Sequence, residues 1–239
     1  MHTYFQEVQK LLSHVLEKEH VSIERASQVI VERLQKGGVL QLFGCGHSHL
    51  LAQEGYYRAG GLVPVRPIII EPLTLHVGAL TSSVNEKDPD IIQSYADQFN
   101  FHEQDILMVI STSGRNNAPI EAALLAKEQG IPVMSLQSLA YKEHPTRHKS
   151  EKRLEEIVDV VLDTHVPVGD GLLSRAGMQY GPASTVIGST ILNTLLSQVI
   201  EKMADQMDVL PVFESTNVTT NQNHNNLMIA KYEGRINFK

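Results

Sequence analysis

Val39-Leu40-Gln41-Leu42-Phe43-Gly44-Cys45-Gly46-His47-Ser48-His49 is the stretch on which the fold turns. A short apolar run bounded by glycine reads as a strand buried on both faces, and glycines followed by polar residues and Leu50-Leu51-Ala52 read as a tight turn into a helix. Runs like 39–43 recur downstream as VRPIII (65–70), ILMVIS (106–111), PVMSL (132–136) and IVDVVL (157–162), with helical stretches between them. That alternation predicts an α/β protein with a doubly wound five-stranded parallel sheet, helices on both faces.

Upstream, Phe5, Val8, Leu12, Leu16, Ile23, Ala26, Ile30 and Leu34 repeat at helical spacing and stop at Gly37-Gly38, with one or two helices left open at Ser22. Downstream, Asp88-Pro89-Asp90 caps a helix through Ile91, Ile92, Tyr95 and Phe99, and Pro119 starts another that ends at Gly130. The polar, proline-broken stretch 136–156 reads as an exposed connection. Val186, Ile187, Ile191, Leu195, Val199, Ile200 and Met203 mark a last long helix. The chain is thus expected to be one domain, 1–239, made of a helical segment (1–36), an α/β core (37–207) and a tail (208–239).

Composition narrows the partners. With 20 Lys plus Arg against 27 Asp plus Glu, the formal charge is −7, which argues against nucleic acid or an anionic membrane but not against a small anion. The lone Cys45 excludes an intramolecular disulfide framework and fits a reducing, cytoplasmic setting. The start MHTYFQEVQKLL does not read as a signal peptide, and no apolar run approaches the roughly 18 residues of a membrane span.

In open parallel sheets ligands sit at the carboxyl ends of strands, where helix N-termini point into the crevice. Two such ends stand out. Gly44-Cys45-Gly46-His47-Ser48 lets backbone approach an anion at a helix start. A dinucleotide turn would carry a third glycine where His49 stands, so a nicotinamide cofactor is not expected. The second end, Ser111-Thr112-Ser113-Gly114-Arg115-Asn116-Asn117, offers hydroxyls and carboxamides around the next helix start, with Arg115 as the one adjacent cation. Together they read as a phosphate cradle.

On these residues the chain resembles the SIS (sugar isomerase) domain family. The match rests on GCGHS (44–48), on STSGRN (111–116), and on GPASTVIGSTILNTLL (181–196). The tail motif PVFESTN…HNN is also similar to a bacterial SIS group that carries the labels phosphoheptose isomerase and phosphosugar-binding protein. The resemblance implies a flavodoxin-like three-layer sandwich that binds a sugar phosphate without a cofactor. Carried over, Gly46, Ser48, Ser111, Thr112, Ser113, Gly114, Asn116, Ser184 and Thr185 take the phosphate and sugar positions. Two departures weigh against the heptose label: Arg58 stands where phosphoheptose isomerases carry a glutamate, and Ser184 to Met207 holds none of the histidines they use.

For proton transfer, Glu54 is the carboxylate nearest the first turn, and His47, Glu54 and Arg58 share one face of a continuing helix. A surface pair of Glu54 with Arg58 is the plainer alternative. His47 and His49 on the turn, and His76 after the second strand, are further candidates, with Glu71, Thr81, Ser82 and Ser83 placed for sugar hydroxyls. No metal is assigned, since His47 and His49 lack a clear third ligand. Cys45 reads as a small buried residue. The tail offers Glu214, Ser215, Asn217, His224 and Asn225 behind an apolar lead, as though it docks over the site of its own or a neighbouring subunit. Asn217-Val218-Thr219 is a glycosylation sequon by pattern alone. The expectation is a phosphosugar isomerase converting aldose to ketose, forming a homo-oligomer (dimer or tetramer). A non-catalytic phosphosugar sensor, or another SIS reaction such as ether cleavage, is the alternative.

Overall fold

A computed structural model describes residues 3–218 and 223–239; Thr219 of the sequon lies outside them. The N-terminal repeat forms one unbroken helix, α1 (Thr3–Gln35), with Ser22 inside it. The core then runs β1 (Leu40–Gly44), α2 (His47–Glu54), β2 (Val65–Pro67), α3 (Ala79–Asn85), α4 (Ile91–Ser94), β3 (Ile106–Ile110), α5 (Asn117–Glu128), β4 (Val133–Gln137) and β5 (Val160–Asp163). A hairpin of β6 (Gly171–Arg175) and β7 (Met178–Pro182) precedes α6 (Ser184–Ala204), and the tail carries α7 (Asn223–Tyr232).

The five strands β1 to β5 form one parallel sheet in the order β2-β1-β3-β4-β5. Chain order reverses between β1 and β3, so a crevice opens there at the carboxyl ends. The strands at the sheet's centre bury both faces. Leu40, Leu42, Met108, Ile110, Leu136 and Leu162 face α1, α2 and α6, while Phe43, Leu107, Val109 and Val133 face α5 and the segment before β3. This is the three-layer α/β sandwich expected, with all five strands at the expected places.

Several boundaries differ for physical reasons. The second strand pairs only over Val65–Pro67, its last bond to β1 running from Ile68 N to Leu42 O at 2.8 Å, and Pro67 is accommodated because β2 is an edge strand. The helix expected over 91–99 is a four-residue α4 followed by a 3-10 turn at Ala96–Gln98. The fifth strand begins at Val160, since a 3-10 turn at Leu154–Glu156 precedes it. The hairpin was not expected; Ala176 and Gly177, with φ of 50° and 78°, supply the two left-handed residues of its turn.

Two larger corrections concern the connections. The stretch 136–156 is not simply exposed: Gln137, Ser138, His148, Arg153 and Leu154 are buried, and it folds as a strap on the second turn. The tail docks, but at the amino ends of the strands. Phe213, Met228, Tyr232 and Ile236 pack on Val39 and Val63, Val212 bridges Leu62, and Arg235 reaches Asp105 at 2.6 Å just before β3. The described residues of the tail therefore do not cover the turns of their own chain.

Candidate functional site

The two turns leave strands that are hydrogen-bonded neighbours, with Phe43 opposite Val109 and Gly44 opposite Ile110. Cys45 and Ser111 therefore start their turns side by side, about one strand spacing (~4.8 Å) apart. Gly44 is required by close packing: a Cβ there would stand 2.6 Å from the backbone carbonyl of Ser48, where α2 folds back on β1. Gly46 occupies the N-cap of α2 and supplies no side-chain cap. The hydroxyls of Ser48, Thr112 and Ser113, at the mouth of the crevice, have no hydrogen-bond partner among the described residues. Ser111 is buried, and its Oγ accepts the amide of Gly114 at 3.3 Å.

Asn116 is the N-cap of α5, yet its side chain makes no capping bond. Its Oδ1 accepts from Arg147 Nη1 at 2.7 Å, and its amide nitrogen is left to hydrogen-bond Glu86. Asn116 is thus a bridge between two charged groups, which leaves its side chain occupied rather than aimed at a phosphate. The strap secures the rest of the turn: Arg147 N donates to Arg115 O at 2.8 Å, Arg153 Nη2 to Ser113 O at 2.7 Å, and Leu154 N to Gly114 O at 3.0 Å. Three guanidinium groups consequently crowd the turn. Burial, and then the charges of Arg147 and Arg153, push Arg115 below its ordinary pKa. The strap's own anchor is His148, whose Nδ1 accepts the Ser150 amide, so its Nε2 donates to Glu121 Oε1 at 2.8 Å.

A third segment roofs the crevice. Gly46 N donates to Leu73 O at 2.8 Å, Ser82 Oγ to the same carbonyl at 2.8 Å, and Ala118 N to Glu86 O at 3.1 Å, which ties residues 73–86 to both turns. Glu86 lies at the end of this segment, half-buried. Burial holds its carboxyl above the usual carboxylate range, and hydrogen bonding from Asn116 and the charges of Lys87 and Arg147 offset that only in part. Burial, with the Glu86 charge second, raises the Cys45 thiol well above its ordinary pKa. Cys45 is therefore a protonated, buried thiol rather than a nucleophile. The sequence offered no signal for Glu86, because Asn116 and Arg147, which hold it, come from 30 and 61 positions downstream along the chain.

The other candidates disperse. Helix α2 ends at Glu54, so Arg58 returns to it from a loop instead of continuing its face, and Glu54 is hydrogen-bonded to Arg58 and, at 3.3 Å, to Asn193. Seven residues along α2 put Glu54 about 10 Å from His47 and from the turns. His47 is exposed on the first turn, whereas His49 is 3% exposed, with an Nε2 that has no hydrogen-bond partner among the described residues. Burial, then the neighbouring His76, lowers the His49 pKa, so it is a neutral imidazole beside the turn. His76 is exposed on the roof segment, held by Thr74 Oγ1 at 3.0 Å, and Glu71 lies 3.9 Å from it. His224 is placed away from the turns; its Nε2 bonds Val212 O at 2.8 Å within the tail. The Ser184 hydroxyl is given to Asp170 at 2.9 Å, and Asp170 also takes the amides of Ala183 and Ser184. A carboxylate of the chain therefore fills the α6 N-terminus where a phosphate was expected. Thr185 is exposed. Among the described residues no group of three or more His, Cys, Asp or Glu is placed to hold a metal ion, and no helix is long and apolar enough to cross a membrane.

The chain is similar to known proteins in sequence and in fold. The SIS domain family profile matches residues 3–138. The UPF0309 protein in the nagA 3′ region of Lysinibacillus sphaericus is 51% identical over 238 residues, covering 100% of this chain and 98% of that one. The UPF0309 protein of Halalkalibacterium halodurans is 44% identical, with 98% and 95% covered. In fold, a phosphoheptose isomerase from Francisella tularensis superposes with a TM-score of 0.52 at 18% identity, covering 83% of this chain and 95% of its own. The Vibrio vulnificus NanR protein, solved with ManNAc-6P, gives 0.54 at 18% identity, covering 84% of this chain and 62% of its own. The chain belongs to the SIS domain family and, along its whole length, to the UPF0309 group.

Proposed function

We propose that the protein binds a sugar phosphate in the crevice between β1 and β3 and interconverts its aldose and ketose forms. The observation that carries this is the pair of turns. Hydroxyls of Ser48, Thr112 and Ser113 that have no hydrogen-bond partner among the described residues stand on two turns that leave neighbouring strands at the sheet's switch point, the second leading into α5. Helix-start amides and hydroxyls favour a dianion there, and the arginine cluster raises the local positive potential despite a net charge of −7. Support comes from a protein of the same fold, NanR, which was solved with ManNAc-6P.

A non-catalytic sensor is the second reading, favoured by the fold's presence in NanR and in an RpiR transcription factor from Sphaerobacter thermophilus. Incubation with hexose, 2-acetamidohexose and heptose phosphates in deuterated water separates the two. An isomerase exchanges the C2 proton of at least one sugar; tight binding of one sugar with no exchange of any leaves the sensor. The proposal extends to a cytoplasmic homo-oligomer, since Phe5, Leu16 and Val21 leave apolar surface exposed along α1. A monomer by light scattering contradicts that part.

A further inference from the structure

We propose that Glu86 is the proton-transfer group of this site and that Asn116 and Arg147 are the residues that position it. The proposal rests on the isomerase reading and assigns the group that sequence reasoning gave to Glu54 or a histidine. Glu86 sits between the turns: it acts electrostatically on Cys45 of the first and is hydrogen-bonded to Asn116 of the second. Its main-chain oxygen accepts Ala118 N, in the first turn of α5, so the roof segment cannot move without the cradle moving too.

The other carboxyls near the crevice are engaged elsewhere. Glu121 is held by His148 and Lys149, Glu155 by Arg153, Asp170 by the start of α6, and Glu54 by Arg58 at the far end of α2. Glu71 is exposed, beside His76. Glu86 makes no salt bridge among the described residues, yet it is half-buried and held by a chain of contacts: Arg147 fixes Asn116 Oδ1, and Asn116 in turn presents its amide to the carboxyl. Such an arrangement orients a base without neutralising it. Its raised pKa also suits the work, because a carboxyl closer to neutrality both accepts and returns a proton.

The step balances without an oxidant or a co-reactant. The Glu86 carboxylate takes the proton from C2 of the open-chain aldose phosphate. The C2–H pair becomes the C1=C2 bond of an enediol, while the C1=O π pair stays on O1, which takes up a proton from solvent. The Glu86 carboxylic acid, whose proton exchanges with solvent while the enediol is bound, then gives a proton to C1, the C1=C2 pair forming that C–H bond, and O2 gives its proton to solvent as its pair closes the C2=O bond. The charged groups facing Glu86 are Lys87 beside it and Arg147 from the strap, with the Cys45 thiol across from it.

The test pairs chemistry with binding in the full chain. Glu86→Gln is expected to lower C2-proton exchange of the sugar phosphate that the wild type turns over by about a hundredfold or more, with its dissociation constant and that of inorganic phosphate unchanged. Arg147→Gln is expected to shift the acid limb of the exchange rate to higher pH, because it removes a charge that favours the carboxylate; a purely structural role would not move that limb. Exchange that survives Glu86→Gln overturns the proposal while leaving the isomerase reading intact. Loss of inorganic phosphate binding in a folded Glu86→Gln protein also overturns it, by making Glu86 part of the cradle. Absence of exchange in the wild type ends the isomerase reading, and this proposal with it.

Discussion

Asn116 and Gly114 show how much of the site is decided by single residues. Asparagine is a favoured N-cap, but here its amide is drawn sideways by Arg147 and Glu86, and the first turn of α5 is met instead by Glu86 O, which accepts Ala118 N at 3.1 Å. Gly114 has a φ of 59°, and a Cβ there would lie 2.2 Å from Gln137 Oε1. Gln137 is 1% exposed and has little room to withdraw. Gly114→Ala should therefore combine a left-handed strain with a clash and cost about 1–3 kcal/mol. Chemical denaturation measures that directly, and a variant as stable as the wild type contradicts the packing described. The two strand-to-helix turns that carry Gly46, Ser48 and Ser111 were legible because a turn's chemistry is local. The partners of Asn116 were not, since Glu86 and Arg147 lie 30 and 31 positions away in sequence.

Among the elements, strands at the centre of the sheet read most clearly. They are buried on both faces, so 39–43, 106–111 and 132–136 appear as mainly apolar runs, with Gln41 and Ser135 buried inside them. The strap failed as a reading for the opposite reason: its residues are polar, and they are buried because they bond backbone and carboxylates rather than because they are apolar. Glu121 shows the energetics. Burial pushes its pKa up, but hydrogen bonds and charges from His148 and Lys149 outweigh that and leave it below its ordinary value. A carboxyl with a lowered folded pKa contributes stability above its unfolded pKa of about 4.3 and loses it as pH falls toward the folded value. Glu121→Gln is accordingly expected to destabilise the protein by roughly 1.5 kcal/mol at pH 7. That gap should narrow when denaturant midpoints are compared at progressively more acidic pH. An equal gap throughout would place the effect in packing rather than in charge.

At the scale of the whole molecule, the sheet separates two kinds of polar network. At the amino ends, the buried Gln41 and Asp105 join the half-buried Arg66 and Arg235 in a set that fastens the tail. At the carboxyl ends, hydroxyls without partners among the described residues, a neutral His49 and a half-buried Glu86 surround the crevice. In the first network both Asp105 carboxylate oxygens are taken up by protein donors, whereas the second has spare hydrogen-bonding capacity, as a binding site needs. The tail's apolar lead announced that it docks, but its place at the amino ends is set by partners far along the chain, Val39 and Val63 for its apolar residues and Asp105 for Arg235, which no local pattern carries. The central claim, that the two turns jointly hold the phosphate of a sugar phosphate, is tested most directly by calorimetric titration. Wild type and the Ser48→Ala, Ser113→Ala double variant are each titrated with the hexose, 2-acetamidohexose and heptose phosphates. The wild type is expected to bind at least one of them, and the double variant, folded, to bind it about a hundredfold more weakly, each lost donor to a charged acceptor counting roughly 1.5 kcal/mol or more. Equal affinity in the two proteins would contradict that claim.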